Sequence, residues 1–116
     1  MKKPYTEEDI AQAKAKYPHV VRELIVYPSE TEFDKDGKPS EEPAYFLIKK
    51  PSKALVYMAN SAEFKGKEQD LTEAIITNCV IKGDLERADN DASIFSGLNQ
   101  KLSELINSTR VELKKV

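Results

Sequence analysis

At Pro51 the hydrophobic rhythm of this chain changes. Before it, apolar residues come in two short runs, the β-branched "VVRELIVY" at 20–27 and "PAYFLIK" at 43–49. After it, they recur at the spacing of a helix face as far as residue 106. A run of strands followed by a run of helices is the pattern of an α+β fold, a small antiparallel sheet with a helical layer packed on it. With 116 residues the chain holds one domain, 1–116, and not two.

The first element precedes both strands. "TEEDIAQAKAKY" (6–17) predicts a short helix with Thr6 as N-cap, and Glu7, Glu8 and Asp9 sit where the helix dipole favours anions. Its apolar stripe, Ile10, Ala13 and Tyr17, is thin, so the helix is expected to sit at an edge or fray; Pro18 stops it. The two strands are expected to pair as a β-hairpin. Between them, residues 28–42 carry six acids against two lysines, and "DKDG" signals a tight turn with Gly37 at positive φ. Three helices follow. The first starts near Pro51 with Leu55, Met58, Ala59 and Ala62 as its stripe and Gly66 as its stop. The second carries Leu71, Ile75, Ile76, Cys79 and Val80 on one face, Asp70 or Thr72 as its cap and Gly83 just past its end. A polar connection, "LERADND", leads to the third, residues 91–109. Asp91 is its N-cap, Phe95, Leu98, Leu102, Leu105 and Ile106 its stripe, and Gly97 marks a close helix contact. The end, "RVELKKV", is a short strand, a helical extension or a tail.

Charge excludes one class of partner. Basic and acidic residues number 9 and 10 up to residue 50, and 9 and 10 again after it. No segment forms a basic footprint for nucleic acid, and the five tyrosines are not interleaved with basic residues for base stacking. No apolar run is long enough to cross a bilayer, and the N-terminus lacks the apolar core of a secretory signal, so a cytoplasmic protein is expected. A single cysteine rules out an internal disulfide framework.

The residues that could carry chemistry are few. Cys79 shares its helix face with Leu71, Ile75 and Ile76, the setting of a small buried hydrophobe; the rival reading pairs it as a nucleophile with His19. One cysteine and one histidine do not make a zinc site. Aligning Gly37 with the sixth position of a calcium loop puts Pro43 where a bidentate Glu is required, so turn chemistry explains "DKDG" better. Asp84, Glu86, Asp89 and Asp91 could hold a cation or do acid–base work, but a solvated connection with a helix cap explains them as well. Lys49, Lys50 and Lys53 could meet a phosphate at a helix start, or be the solvated end of a strand. No residue set calls for a cofactor, and the balance points to a protein that works by binding other proteins.

From residue 43 onward the chain also resembles a known family. A strand runs into Lys49, Lys50 and Pro51; a helix ends in Asn78 and Cys79, with Gly83 and Asp84 behind it. An acidic connection, an amphipathic helix and the terminal Glu112, Leu113, Lys114 and Lys115 complete the pattern. This resembles the small tail assembly chaperones of long-tailed bacteriophages and prophages. The resemblance implies a non-enzymatic protein that keeps the long helical tape-measure protein soluble while tail-tube subunits polymerise around it, and possible self-association into a homo-oligomer. It transfers no catalytic or binding residue. The expected protein-binding surface is the apolar stripe of the last helix with the C-terminal segment: Leu98, Leu102, Leu105, Ile106, Val111 and Leu113. Two rivals are a structural or head–tail joining protein of the same particle and a small enzyme built on Cys79 or the acids at 84–91.

Overall fold

The structure, a computed structural model, describes residues 3–107 and 111–116. Ser108, Thr109 and Arg110, read above with the last helix and the tail, lie outside the described residues. The fold is α+β. Helix α1 (Glu7–Lys16) is followed by strands β1 (Val21–Val26) and β2 (Ala44–Lys49), helix α2 (Lys53–Ala59) and a 3-10 turn at Ala62–Phe64. Helix α3 (Glu68–Cys79) then runs straight into strand β3 (Val80–Gly83), and helices α4 (Leu85–Asn90) and α5 (Ala92–Asn107) complete the order.

The hairpin forms as its sequence predicts. β1 and β2 pair antiparallel from Val21↔Lys49 to Val26↔Ala44. In the connection, Asp34 accepts the backbone N–H groups of Asp36 and Lys38 through its side chain, and Gly37 has φ 81°. The turn chemistry of "DKDG" is therefore realised, and Phe33 bridges to Pro39 beyond it. A third strand was not predicted. Val80–Gly83 pairs antiparallel with β2, giving the order β1–β2–β3 with β2 in the centre. Gly83 does not terminate a helix; it is a strand residue pressed against β2. A Cβ on it would lie 2.6 Å from Phe46 Cδ1 and 3.0 Å from the Phe46 Cα.

Being central explains why β2 is apolar on both faces. Ala44, Phe46 and Ile48 face one side, with Val26, Leu55, Ile75, Ile76, Cys79, Ala88, Ile94, Leu98 and Leu102. Tyr45 and Leu47 face the other, with Val21, Tyr5 and Ala13. The sheet is thus the middle of three layers, with α2–α5 on one face and α1 on the other. Helix α1 packs lightly on this second face, with Ala13 its buried residue, in keeping with its thin apolar stripe. Thr6 and Asp9 form a reciprocal capping box, and Lys82 on β3 reaches Asp9 at 2.8 Å.

The helical layer is set by caps and pins. Ser52 caps α2, its side chain accepting the Leu55 N–H. The helix read as continuing through Ala62 ends at Ala59, and Gly66 (φ 77°) turns the chain into α3. Neither Asp70 nor Thr72 caps α3; its N-cap position is Lys67, with no side-chain hydrogen bond. The "LERADND" stretch is a helix, not a connection. Its Arg87 donates to the carbonyls of Glu42 and Pro43, tying α4 to the start of β2. Asp91 caps α5 as predicted, accepting from the Ser93 N–H and hydroxyl at 2.9 and 2.7 Å. Ser93 Oγ in turn accepts the Ser29 N–H, fastening the start of α5 to the end of β1. The close contact marked by Gly97 is with a strand: a Cβ there would lie 2.8 Å from Val26 Cγ1.

Candidate functional site

Several residues suspected of chemistry have structural roles. Cys79 has 0% exposure, in the larger core cluster. Burial pushes its thiol up, with Lys49 pulling slightly the other way, so the thiolate a nucleophile needs is disfavoured. His19 is exposed, in the turn between α1 and β1, with a left-handed backbone (φ 69°). The sealed sulfur and the exposed imidazole do not form a pair. Asp84 extends the sheet: its N–H donates to the Tyr45 carbonyl and its carboxylate accepts the Tyr45 N–H. Asp91 is a helix cap, and the Ser93 contacts hold its carboxyl below the usual carboxylate range. Among the described residues no group of three or more His, Cys, Asp or Glu side chains is placed to hold a metal ion. Lys49 lies over the Tyr17 ring at 4.3 Å and Lys53 over the Tyr57 ring at 5.5 Å, so two of the three lysines of the "KKPSK" stretch pack on aromatic faces.

The predicted protein-binding stripe divides. Leu98 and Leu102 are at 0% exposure, sealed between α5 and the sheet, and cannot form a docking surface in this fold. Leu105 and Ile106, a turn further on, are half-buried, and Leu105 packs against the core. Leu105 owes its apolarity to the core, where the stripe of α5 packs against β1 and the neighbouring helices α3 and α4. Val111 and Leu113 are in open solvent, Leu113 at 100% exposure, in an extended segment without secondary structure.

Exposed apolar side chains gather elsewhere. Ile25 and Tyr27 project from the same face at the end of edge strand β1, each 44% exposed. The Phe33 ring, from the acidic connection, meets the Tyr27 ring edge to face at 5.0 Å and is 53% exposed. The patch stays open because α1 is only ten residues long. It covers Val21, Tyr45 and Leu47 but leaves Ile25 bare. Glu30, Glu32 and Asp34 are near neighbours of Phe33 in the sequence, so the connection that carries it is acidic.

A second apolar feature is a groove of about 260 Å³ between α3, α4 and α5. Ile76, Val80, Leu85, Ala88 and Phe95 line it, beside the buried Leu98, and Glu73 and Asp89 lie along it. Sequence reasoning missed both features. A signal for the first lay in the sequence: apart from Arg22 and Glu23, the strand is apolar on both alternating faces, and Phe33 is a lone aromatic in an acidic stretch. The second could not be read before α4 was known to be a helix.

The site is therefore apolar surface on a small α+β scaffold. No protein-family model, curated protein or solved structure matches the chain. Among the described residues no helix is long and apolar enough to cross a membrane.

Proposed function

We infer that this protein is a non-enzymatic chaperone that binds another polypeptide, a long helical client with exposed apolar stripes. The observation that carries the reading is the Ile25–Tyr27–Phe33 patch. Ile25 on the edge strand β1, with the aromatic rings of Tyr27 just past it and Phe33 from the connection, leaves an exposed apolar patch of the kind found where proteins dock. The acidic connection that carries Phe33 keeps the free protein soluble and offers partners to the lysines that flank apolar stripes on helices. The resemblance of residues 43–116 to phage tail assembly chaperones supplies the client class, a tape-measure protein, and the cytoplasm of a bacterial host as the place of action. Weak binding by several copies along one long client would add up to firm protection.

The test is co-expression with the very long coiled-coil reading frame that neighbours such a gene. The expected result is a soluble complex that co-purifies, a client that precipitates when expressed alone, and no trace of the chaperone in finished particles. A client equally soluble without this protein would overturn the reading, as would stoichiometric recovery of the protein from purified particles, the mark of a joining component.

A further inference from the structure

Strand β1 lies at one edge of the sheet, and its outer side is unpaired. The Lys50 N–H donates to the Val20 carbonyl, so the antiparallel register turns the backbone groups of Arg22, Leu24 and Val26 toward β2. Those of Val21, Glu23 and Ile25 therefore turn outward. The Arg22 guanidinium donates to the Val21 carbonyl at 2.8 Å. Among the described residues nothing meets the outward N–H and C=O groups of Glu23 and Ile25. They recur at every second residue, the spacing at which another strand offers its own.

A slot runs along the same edge on the helical face. Arg22, Leu24, Ile48, Lys50, Lys101 and Leu105 line a space of about 350 Å³. Three of these side chains are aliphatic and three are cationic. Lys101 touches Glu104 at 3.4 Å, while among the described residues no carboxylate pairs with Arg22 or Lys50. Glu23 also lines the slot, but its carboxylate is engaged, accepting from Lys3 at 2.8 Å and from the Tyr5 hydroxyl at 3.0 Å. The slot thus joins aliphatic surface to uncompensated positive charge.

We propose that the edge of β1 takes an extended segment of a partner protein as a fourth strand, and that an acidic and an aliphatic side chain of that segment enter the slot of Arg22, Lys50 and Lys101. An open sheet edge recognises main chain, and a pocket beside it recognises alternate side chains. The edge selects polypeptide over a fatty acyl chain, which has no N–H or C=O groups at ladder spacing. The three cations then select among polypeptides, attracting an acidic segment and repelling a basic one. This occupant is extended, not the helical client of the chaperone reading, and the proposal stands or falls separately from that reading.

A synthetic octapeptide that alternates threonine with glutamate and valine tests it, by titration and amide hydrogen exchange on the full chain. At about ten times its Kd, the peptide slows exchange of the Glu23 and Ile25 N–H groups about tenfold. The variant Lys50→Glu with Lys101→Glu binds it about tenfold more weakly and prefers a peptide with lysine in place of glutamate. Both lysines are exposed, so the variant keeps its melting temperature. A peptide methylated at every amide nitrogen keeps the side chains but has no N–H to donate, and does not bind. Unchanged exchange at Glu23 and Ile25 overturns the proposal. So does equal binding of the methylated peptide, indifference to glutamate or lysine, or decanoate filling the slot where the peptide does not bind at millimolar concentration.

Discussion

Leu98, Leu102 and Leu113 carry the same side chain, and sequence alone groups them as one binding surface. Their environments separate them: the first two have no exposure and the third is fully in water. Leu98→Ala is therefore expected to destabilise the fold by about 2–5 kcal/mol, the cost of a buried cavity. Leu113→Ala, measured in dilute solution, should change stability by less than about 0.5 kcal/mol. Equal effects in chemical denaturation would show that the core has been misplaced. Three carboxyls make a second prediction at this scale. Asp9, held by Lys82 and the Thr6 N–H, Glu23, held by Lys3 and Tyr5, and Asp91, held by Ser93, all lie below their ordinary values. A carboxyl whose folded value is depressed adds stability above its unfolded value and loses it as pH falls through the folded one. With ordinary values of 3.8 for Asp and 4.5 for Glu, thermal stability should hold from neutral pH to about 5 and fall below that. The triple variant Asp9→Asn, Glu23→Gln, Asp91→Asn should show a shallower acid decline.

At the scale of elements, what was legible is what local chemistry encodes. Thr6 and its acids mark the start of α1; the hairpin, its "DKDG" turn and the Asp91 cap all rest on neighbours within a few residues. What was not legible depends on distant partners. Val80 continues the apolar spacing of Ile75, Ile76 and Cys79, so nothing local says that the chain turns from helix to strand after Cys79. It does so because the far edge of β2 needs a partner, and because Gly83 alone lets the backbone approach Phe46. Helix α4 is short and polar, and its anchor, Arg87 on the Glu42 and Pro43 carbonyls, spans more than forty residues of sequence. The open patch was hidden for the same reason. Which face of β1 stays bare depends on how far α1 reaches, and the Tyr27–Phe33 contact depends on how the connection folds back. Gly97 gives the prediction for this scale. Alanine there gains up to about 1 kcal/mol of helix propensity, but its Cβ would press on a branched, rotamer-restricted Val26 at 2.8 Å. Gly97→Ala should be net destabilising by about 1 kcal/mol, and Val26→Ala should remove that penalty in a double-mutant cycle. Additive effects of the two changes would show that the helix and strand do not meet there.

The whole molecule is a three-layer scaffold with more surface than its mass requires. Its Cα radius of gyration is 16.3 Å, against about 13 Å for a compact chain of this length. The apolar patch at the hairpin and the groove among the helices occupy different parts of that surface. The central claim is that the Ile25–Tyr27–Phe33 patch holds the client, and the most direct measurement is recovery of the co-expressed tape-measure-like chain on tagged wild-type protein and on an Ile25→Asp, Phe33→Asp variant. Both residues are exposed, so the variant should fold with an unchanged melting temperature. The account predicts client captured by the wild type and lost from the variant; client retained in full by a folded variant would contradict it.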